Sequence, residues 1–528
     1  MIKEPVKNIE TLSSKIYRKE FVSTFDGDES GDLRPRQTPG VLYSKALPTP
    51  VKSPELLAWS DELAKELGIK NQTEKMDVDI LGGNLITPSM YPYAACYAGH
   101  QFGQWAGQLG DGRAITLGEW EAPDGRSWEM QLKGAGPTAY SRRADGRAVL
   151  RSSLREYLMS EAMYHLRVPT TRALSLVTTG DSVLRDMFYD GHPEYEPGAI
   201  VMRVSPSFLR FGNFEVLAAR NELSNLRKLV DWTIQKYYPH IDGNDKIIAW
   251  FKEVVEKTAG LMVEWLRVGF VHGVMNTDNM SILGLTIDYG PYSFIDDYDP
   301  NFTPNTTDLP GRRYAFGRQP SIAHWNLGCF AGAIAPLLDD TERLSAELEG
   351  YTDIFLQKYY AMMGNKLGLD KVNKEDISLI NEFEKTLATI KPDMTIFYQS
   401  LTELDMDKGD TKDRIASHFN HSFYKELQPG HVEALFSLME MYITRIKRNT
   451  CNREESLNRM QQNNPRFILR NYLLHQASED LEKGDDTLLT KLQHAMKEPY
   501  SKKYDEFFTK RPDWATQKAG CSMLSCSS

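Results

Sequence analysis

A short polar segment just past the middle of the chain constrains the fold more than any other sequence feature. Asp278 and Asn279 are adjacent, and Asp288-Tyr289-Gly290 begins ten residues after Asp278, with a largely apolar stretch between them. Carboxylate and amide oxygens are ligands that Mg²⁺ accepts beside the phosphates of a nucleotide. The segment therefore predicts a metal-binding loop in a nucleotide site.

The same segment departs from the protein-kinase motif at one position. A protein kinase has His-Arg-Asp, four residues, Asn and later Asp-Phe-Gly, and its first Asp accepts the proton of the substrate hydroxyl. Five residues before Asn279 this chain has Val274, whose side chain cannot accept a proton. The pattern thus indicates nucleotide chemistry on a kinase scaffold, but not ordinary phosphorylation.

Hydrophobic patterns ahead of this segment predict strands and one long helix. Residues 113–120 and 127–133 flank a turn sequence and predict a hairpin. Apolar residues at every fourth position then predict a helix over about residues 149–167. Further strands are predicted over residues 171–187 and 198–204. This order of hairpin, helix and strands is typical of a kinase N-lobe.

The remainder of the chain has mainly helical patterns, which predicts an α+β, protein-kinase-like two-lobed fold. Its predicted parts are an N-terminal extension, a strand-rich N-lobe, a helical C-lobe and a C-terminal tail, at residues 1–84, 85–214, 215–500 and 501–528. Within the extension, the spacing of apolar residues from Leu56 to Leu67 predicts a short amphipathic helix closed by Gly68.

Lys133 and Glu156 are candidates for an ion pair at the nucleotide site. Lys133 ends the second strand of the predicted hairpin, and Glu156 lies on the following helix. Kinases place a phosphate-holding lysine and its supporting glutamate in this order. The alternatives are a solvated lysine at a strand end and a capping box formed by Ser153 and Glu156, although Ser153 lies inside the predicted helix.

Three further stretches could contact phosphates through backbone N–H groups or guanidinium groups. They contain Gly110, Gly112 and Arg113, then Asp145 and Gly146, and then Arg203 and Arg210. A tight turn, a solvated loop and surface arginines are the respective alternatives, and the P-loop sequence is absent. Only the surrounding sequence pattern supports a role for these stretches in phosphate binding.

Composition and hydropathy exclude several other classes of protein. The net charge of −10 and the pI near 5.7 argue against nonspecific nucleic-acid binding. The longest apolar run, Leu327 to Leu338, is too short to cross a bilayer and predicts a buried helix. The first residues lack the apolar stretch of a signal peptide. We therefore expect a cytoplasmic protein with neither a nucleic-acid nor a membrane partner.

The five cysteines give no disulfide framework. Three of them are scattered singly, and Cys521 and Cys526 lie five residues apart near the C-terminus without CxxC spacing. An accessible thiol pair at this place could be redox-active. An inert, frayed chain end is the alternative.

Several sequence blocks together resemble the selenoprotein O family of YdiU-type pseudokinases, which act as protein adenylyltransferases. The blocks span about residue 40 to the C-terminus and occur in the family's order. They are Ala98-Gly-His-Gln-Phe-Gly103, Gln108-Leu-Gly-Asp-Gly-Arg-Ala114, Gln131-Leu-Lys-Gly-Ala-Gly136, Asp145-Gly146, Arg203, Arg210, His272-Gly-Val-Met-Asn-Thr-Asp-Asn-Met280, Asp288-Tyr-Gly290, Trp325-Asn-Leu327 and Asn464-Pro-Arg-Phe467. Each block alone is modest, whereas their combination is specific to the family.

The resemblance implies ATP bound in a flipped orientation, with its α-phosphate presented to a hydroxyl of a protein Ser, Thr or Tyr. Asp278 would accept the proton, Asn279 and Asp288 would hold Mg²⁺ or Mn²⁺, and Glu156 would orient Lys133. The residues implied to contact the nucleotide are Gly110, Gly112, Arg113, Lys133, Asp145, Gly146, Arg203, Arg210 and Asp288.

The resemblance leaves alternatives open and changes the view of the tail. UMP transfer from UTP is one alternative, and a nonenzymatic nucleotide-binding scaffold is another, although a scaffold has no need of the Asn279 and Asp288 pair. Family members often carry selenocysteine third from the end, where this chain has Cys526. The resemblance therefore implies a redox element in the tail, with Cys521 a partner, and redox-related proteins among the substrates.

Overall fold

Strands account for most of the regular structure before residue 206, and helices account for most of it afterwards. The computed structural model describes residues 10–70, 74–187, 191–406, 411–521 and 523–525. Its mixed α/β architecture agrees with the predicted succession of strands and helices. The two-lobed, kinase-like interpretation and its domain boundaries stay predictions.

Most of the strands join one sheet. They are β1 (Gly27–Asp28), β2 (Tyr43–Lys45), β3 (Glu55–Trp59), β4 (Tyr93–Ala95), β5 (Ala98–Gln101), β6 (Gln104–Gln108), β7 (Ala114–Glu121), β8 (Ser127–Lys133), β9 (Ala148–Val149), β10 (Arg172–Arg185), β11 (Glu194–Ser205), β12 (Phe270–Val271) and β13 (Ser293–Phe294). The sheet has the order β1-β2-β4-β7-β8-β11-β10-β3, with β9 paired to β11. Two separate pairs are β5–β6 and β12–β13.

The register of the central strands gathers polar side chains at one place. Strand β8 pairs with β7 on one side and with β11 on the other. Lys133 lies opposite Ala114 and Val201, and Gln131 lies opposite Arg203. Residues 131 and 133 share one face of β8, so Gln131 and Lys133 point the same way. Both side chains are buried.

Helices make up most of the remaining regular structure of the described residues. They are α1 (Glu20–Thr24), α2 (Asp61–Leu67), α3 (Lys75–Leu81), α4 (Leu150–His165), α5 (Phe211–Ala219), α6 (Leu223–Tyr237), α7 (Lys246–Val268), α8 (Gln319–Ile334), α9 (Glu342–Glu349), α10 (Tyr351–Lys366), α11 (Lys374–Ile390), α12 (Met394–Thr402), α13 (Lys412–Phe419), α14 (Pro429–Ile446), α15 (Arg453–Asn463), α16 (Asn471–Glu482) and α17 (Thr487–Ala495). Helix α4 confirms the prediction of a helix over about residues 149–167.

The predicted helix from Leu56 to Leu67 is wrong in its first half. Glu55–Trp59 is strand β3, which pairs antiparallel with β10, and helix α2 starts only at Asp61. Gly68 does close the helix, in the left-handed conformation with φ +69°. Backbone pairing with a strand more than a hundred residues away overrode the local pattern, which the sequence spacing could not reveal.

Buried apolar side chains form two clusters. The larger cluster extends from the sheet to helices α4 to α8, α16 and α17. The smaller one lies among helices α10 to α15. The apolar run from Leu327 lies mainly in α8, where Leu327, Phe330 and Ile334 are buried, as predicted. Among the described residues, no helix has both the length and the apolar character needed to span a membrane.

Candidate active site

One cavity of about 750 Å³ contains most of the residues predicted for the nucleotide site. It lies between the ends of β7, β8 and β11 and the loops that carry Asp278 and Asp288. Ten of the predicted residues line it, namely Gly110, Gly112, Arg113, Lys133, Asp145, Gly146, Arg203, Asp278, Asn279 and Asp288. Glu156 and Arg210 contact members of this set from behind the cavity wall.

Lys133 and Glu156 form an ion pair, with Nζ of the lysine 2.7 Å from Oε2 of the glutamate. Oε1 of Glu156 accepts a hydrogen bond from Nη1 of Arg203 at 3.1 Å. Lys133 is only 9% exposed, which excludes the solvated strand-end alternative. Ser153 lies inside α4, so the capping-box alternative also fails. Burial lowers the pKa of Lys133, and Glu156 opposes that shift.

Asp288 is the carboxylate on which the cations of the site converge. Its Oδ1 lies 2.5 Å from Nη1 of Arg203 and 3.8 Å from Nζ of Lys133, and its Oδ2 lies 2.5 Å from Nη1 of Arg210. Burial alone would raise the pKa of Asp288, but Arg210, Arg203 and Lys133 hold that pKa well below its ordinary value. Asp288 is therefore ionised at every physiological pH.

The backbone at Asp288 is also unusual. Its φ of +57° is in the left-handed region, which costs free energy for a residue with a side chain. His272 fixes the same loop, because its Nε2 lies 2.9 Å from the carbonyl oxygen of Ile287. Three cations and this imidazole thus hold Asp288 in a conformation that the chain alone disfavours.

Asp278 lies in the same cavity in a very different environment. Its Oδ2 accepts a hydrogen bond from Nε2 of Gln101 at 3.2 Å, and its Oδ1 has no hydrogen-bond partner among the described residues. Arg210 contacts the backbone oxygen of Asp278, at 2.8 Å, rather than its carboxylate. Burial is the main cause that raises the pKa of Asp278 to about 7.

The β5–β6 hairpin covers Asp278 closely. A Cβ atom on Gly99 would lie 2.6 Å from Oδ1 of Asp278, so only glycine fits there without displacing the carboxylate. The backbone N–H of His100 donates to Oγ1 of Thr277 at 2.7 Å. Gly99 and Gln101 were not among the predicted site residues. Their sequence signal was the block Ala98-Gly-His-Gln-Phe-Gly103, which immediately precedes the glycine-rich stretch.

Asn279 ends a 3₁₀ turn, Thr277–Asn279, at the cavity wall. Its Nδ2 donates to the backbone oxygen of Val274 at 2.9 Å, which leaves the amide oxygen as the atom suited to a ligand. An amide oxygen and a carboxylate form a hard donor set that fits Mg²⁺ or Mn²⁺. An ion there would share Asp288 with the guanidinium groups of Arg203 and Arg210.

The glycine-rich part of the wall requires residues without side chains. Gly110 has φ +139°, and a Cβ on it would lie 2.4 Å from the ring of Tyr140. Gly146 has φ +70°, and a Cβ on it would lie 2.1 Å from the backbone oxygen of Gly136. Asp145 pairs with Arg185 at 2.7 Å at the cavity rim. The wall therefore presents backbone atoms directly to the cavity.

Asp111 lines the cavity and Gln131 is fully buried next to it, and the sequence prediction also missed both residues. Gln131 accepts a hydrogen bond from Nη2 of Arg203 and donates one from Nε2 to Asp111 at 3.3 Å. Burial raises the pKa of Asp111, whereas Arg210 and Arg203 oppose that shift. The available signal for Gln131 was its position two residues before Lys133, on the same strand face.

The described part of the tail contains one of the two predicted redox cysteines. Cys521 is 6% exposed, and its backbone oxygen accepts a hydrogen bond from Nδ2 of Asn471 at 3.0 Å. Burial raises the pKa of the Cys521 thiol to about 11. Cys526 lies outside the described residues. The prediction of a redox pair therefore stays a prediction.

Comparisons with known proteins agree with the geometry of the cavity. The family model described as "Protein adenylyltransferase SelO" matches residues 36–497. The chain is 60% identical over 520 residues to a protein nucleotidyltransferase YdiU of Cytophaga hutchinsonii, covering 98% of this chain and 100% of the relative.

Two more distant relatives have the same name. The YdiU protein of Nitrosospira multiformis is 47% identical, over 99% of this chain and 98% of the relative. That of Azoarcus sp. is 49% identical, over 97% and 99%. The similarity therefore extends over nearly the whole length of each protein.

Proposed function

The chain belongs to the SelO family of protein adenylyltransferases, and on that premise we propose that it transfers AMP from ATP to hydroxyl groups of proteins. Family membership makes it a nucleotidyltransferase. The observation that carries the finer proposal is the carboxylate of Asp278. This group is buried, and one of its oxygens has no hydrogen-bond partner in the part of the chain that the structure describes, whereas the kinase base position holds Val274.

In the proposed reaction, the hydroxyl oxygen of an acceptor Ser, Thr or Tyr attacks the α-phosphorus of ATP. The bond between that phosphorus and the oxygen bridging to the β-phosphate breaks, and pyrophosphate leaves. The proton of the hydroxyl passes to the carboxylate of Asp278. A base whose pKa is about 7 is half ionised at neutral pH, which suits it to this step.

The negative charge of the triphosphate and of the leaving pyrophosphate needs positive charge in the cavity. Lys133, Arg203 and Arg113 line the wall, and Arg210 lies directly behind it. A divalent ion at Asn279 and Asp288 supplies charge neutralisation and phosphate orientation when bound. Fixed cations in a largely buried site stabilise developing charge without reorganising at the moment of reaction.

We propose further that this site lies on a protein-kinase-like, two-lobed scaffold. The Lys133–Glu156 pair between β8 and α4 supports this proposal, as do the loops of Asn279 and Asp288 opposite the sheet. Moving the base from position 274 to position 278 changes its place relative to the metal ligands. That change supports an ATP orientation in which the α-phosphate, not the γ-phosphate, faces the acceptor.

A polypeptide acceptor is supported by the surface next to Asp278. The β5–β6 hairpin that carries Gln101 also exposes Phe102 and Trp105, which are 38% and 44% exposed. Exposed aromatic side chains beside a catalytic cavity are typical of protein-binding surfaces. We place the reaction in the cytoplasm, because the four described cysteines are free thiols, as expected in a reducing compartment.

The test compares ATP labelled at the α-phosphate with ATP labelled at the γ-phosphate, with Mg²⁺ or Mn²⁺ and a general protein acceptor. Label retained only from the α position is the expected result. Label only from the γ position would make the protein a kinase. Transfer from α-labelled UTP in preference to ATP would identify UMP as the group. Nucleotide binding without transfer of any label would favour the scaffold.

A further inference from the structure

A second cluster of potential metal ligands lies behind the β5–β6 hairpin, outside the nucleotide cavity. It consists of His100 on β5, Glu215 on α5 and Cys329 on α8. One ligand atom from each residue lies within 4.8 Å of the other two. Nδ1 of His100 and Oε1 of Glu215 are 2.7 Å apart. Three separate elements thus bring nitrogen, oxygen and sulfur donors to one point.

The carboxylate of Glu215 indicates that this cluster has an unfilled ligand requirement. Glu215 is 4% exposed, its carboxylate contacts His100 and the hydroxyl of Thr277, and no lysine or arginine of the described residues forms an ion pair with it. A buried carboxylate without a lysine or arginine partner is costly, and buried charges in proteins are usually paired or coordinate a metal. The side chain of His100 is still 27% exposed, so an ion from solution could reach the cluster.

We propose that His100, Glu215 and Cys329 form a binding site for Zn²⁺. Imidazole, carboxylate and thiolate are the three ligand types of zinc sites in proteins, and a tetrahedral ion with three of them keeps one position for water. The ligand atoms of such a site lie about 3.3–3.8 Å apart. His100 Nδ1 and Glu215 Oε1, at 2.7 Å, therefore need to separate by about 0.5–1 Å. Any separation near the 4.8 Å limit of the cluster needs to close by about 1 Å. The hard ions Mg²⁺ and Mn²⁺ prefer the oxygen ligands of the nucleotide cavity instead.

Binding of Zn²⁺ requires the ligand atoms to be deprotonated. The thiol of Cys329 gives its proton to solvent when its sulfur bonds the ion. When Nδ1 of His100 binds the ion, that nitrogen holds no proton, and the neutral imidazole carries its single proton on Nε2. The proton that leaves Nδ1 goes to solvent, and a ring that was neutral takes one from solvent at Nε2. Burial, with Glu215, raises the pKa of Cys329 to about 12, so this cysteine is a protonated thiol at neutral pH until an ion binds.

The place of the site suggests what the ion does. His100 is the neighbour of Gln101, which donates to Asp278, and the backbone N–H of His100 donates to Thr277. An ion bound to His100, Glu215 and Cys329 would therefore fasten the β5–β6 hairpin to helices α5 and α8. His100 acts as a positioning residue for Gln101, and so for the base.

The test uses Co²⁺ as a spectroscopic substitute for Zn²⁺, on the full chain with excess Mg²⁺ to occupy the nucleotide cavity. The wild type is expected to show the charge-transfer absorption of a cobalt–thiolate bond, and Zn²⁺ should abolish it by displacement. Cys329→Ser should lose the band. Cys451→Ser, which changes a free cysteine far from the cluster in sequence, should keep it.

Affinity gives the second readout. Partners outside the first ligand shell are worth about 10–100-fold in metal affinity, so loss of a direct ligand should weaken Zn²⁺ binding by at least about 100-fold. Glu215→Gln, which keeps the side-chain volume, should show this loss with an unchanged circular dichroism spectrum. Equal cobalt–thiolate bands in wild type and Cys329→Ser, or no band in the wild type at saturating Co²⁺, would overturn the proposal.

Discussion

Two aspartates of one cavity differ in their protonation because of the residues around them. The carboxylate of Asp288 pairs with three cations, whereas that of Asp278 accepts a hydrogen bond from Gln101 and forms no ion pair with the described residues. Burial therefore raises the pKa of Asp278 to about 7, while the cations overcome burial at Asp288. Opposite shifts of two neighbouring carboxyl groups are a typical way to separate a proton acceptor from a permanently charged group.

At this scale we expect Asp278→Asn to lower nucleotidyl transfer by at least about 100-fold, the usual contribution of a general base. Nucleotide affinity should hardly change, because Asn keeps the volume and the cations remain. In the wild type the rate should rise with pH and level off above about 7, because only the ionised carboxylate accepts a proton. Single-turnover rates and equilibrium nucleotide binding measure both effects, and wild-type rates in the variant would remove Asp278 as the base.

The same substitution, which should lower activity, should raise the stability of the folded state relative to wild type as the pH rises. An unfolded Asp has its pKa near about 4 and a folded Asp278 near about 7, so the folded state loses stability as the pH rises between these values. In the Asp278→Asn variant the side chain at this position is an amide, which does not titrate in this pH range. The variant's unfolding free energy relative to wild type should therefore increase by up to about 4 kcal/mol between pH 4 and pH 8. Denaturant titrations at both pH values measure this, and a pH-independent difference would contradict it.

At the scale of elements, the β5–β6 hairpin sets the position of the base. Gly99, Gln101 and His100 on β5 contact Asp278 or its neighbour Thr277. Successive residues of a strand point to opposite faces, so residues 99 and 101 face Asp278, whereas His100 faces helices α5 and α8. A short strand pair outside the main sheet therefore connects the base to the helical part of the molecule.

Gly99→Ala tests this connection. The added Cβ would lie 2.6 Å from Oδ1 of Asp278 and force the carboxylate to move. A displacement of about 1 Å costs up to about 100-fold in rate, so kcat should fall by about 10- to 100-fold with nucleotide affinity retained. Gly260→Ala on α7, where a Cβ meets no atom within 4 Å, is the control and should leave kcat unchanged. Unaltered kcat in Gly99→Ala would show that the hairpin does not position the base.

At the scale of the whole molecule, Asp288 joins the sheet to the loops that precede the later helices. Lys133 comes from β8, Arg203 from β11, and Arg210 from the segment before α5. These three largely buried cations meet on one carboxylate, whose side chain is 22% exposed. Removal of that carboxylate leaves three cations close together without their shared partner.

Asp288→Asn should therefore lower the unfolding free energy by about 3–5 kcal/mol at neutral pH, the usual cost of removing one partner from a buried ion pair. The folded pKa of Asp288 is depressed, so its stabilising effect is present above the ordinary value of about 4 and is lost as the pH falls through the folded value. The difference should persist from pH 8 to about 4 and shrink below it. The exposed Asp339→Asn is the control for denaturant titration. A wild-type midpoint in Asp288→Asn would show that the cluster contributes little.

Local sequence patterns predicted the elements that local interactions form. The hairpin of β7 and β8, helix α4 and the buried α8 all have regular apolar spacing, and each is present. The spacing of Asp278, Asn279 and Asp288 likewise indicated one loop region with metal-ligand chemistry. Such patterns are readable because residues within a turn or strand pair contact near neighbours along the chain.

Features that depend on contacts between residues far apart in the sequence were decided by the tertiary structure alone. Leu56 to Trp59 became a strand because β10 offered a pairing partner, and Gln101 and Gln131 joined the site because folding placed them against Asp278 and Arg203. The two carboxylates belong to the same residue type, ten positions apart, but have opposite pKa shifts, since burial and cation distance exist only in the folded chain. The sequence thus determined which chemical groups are present, and the fold decided which of them are paired, buried and charged.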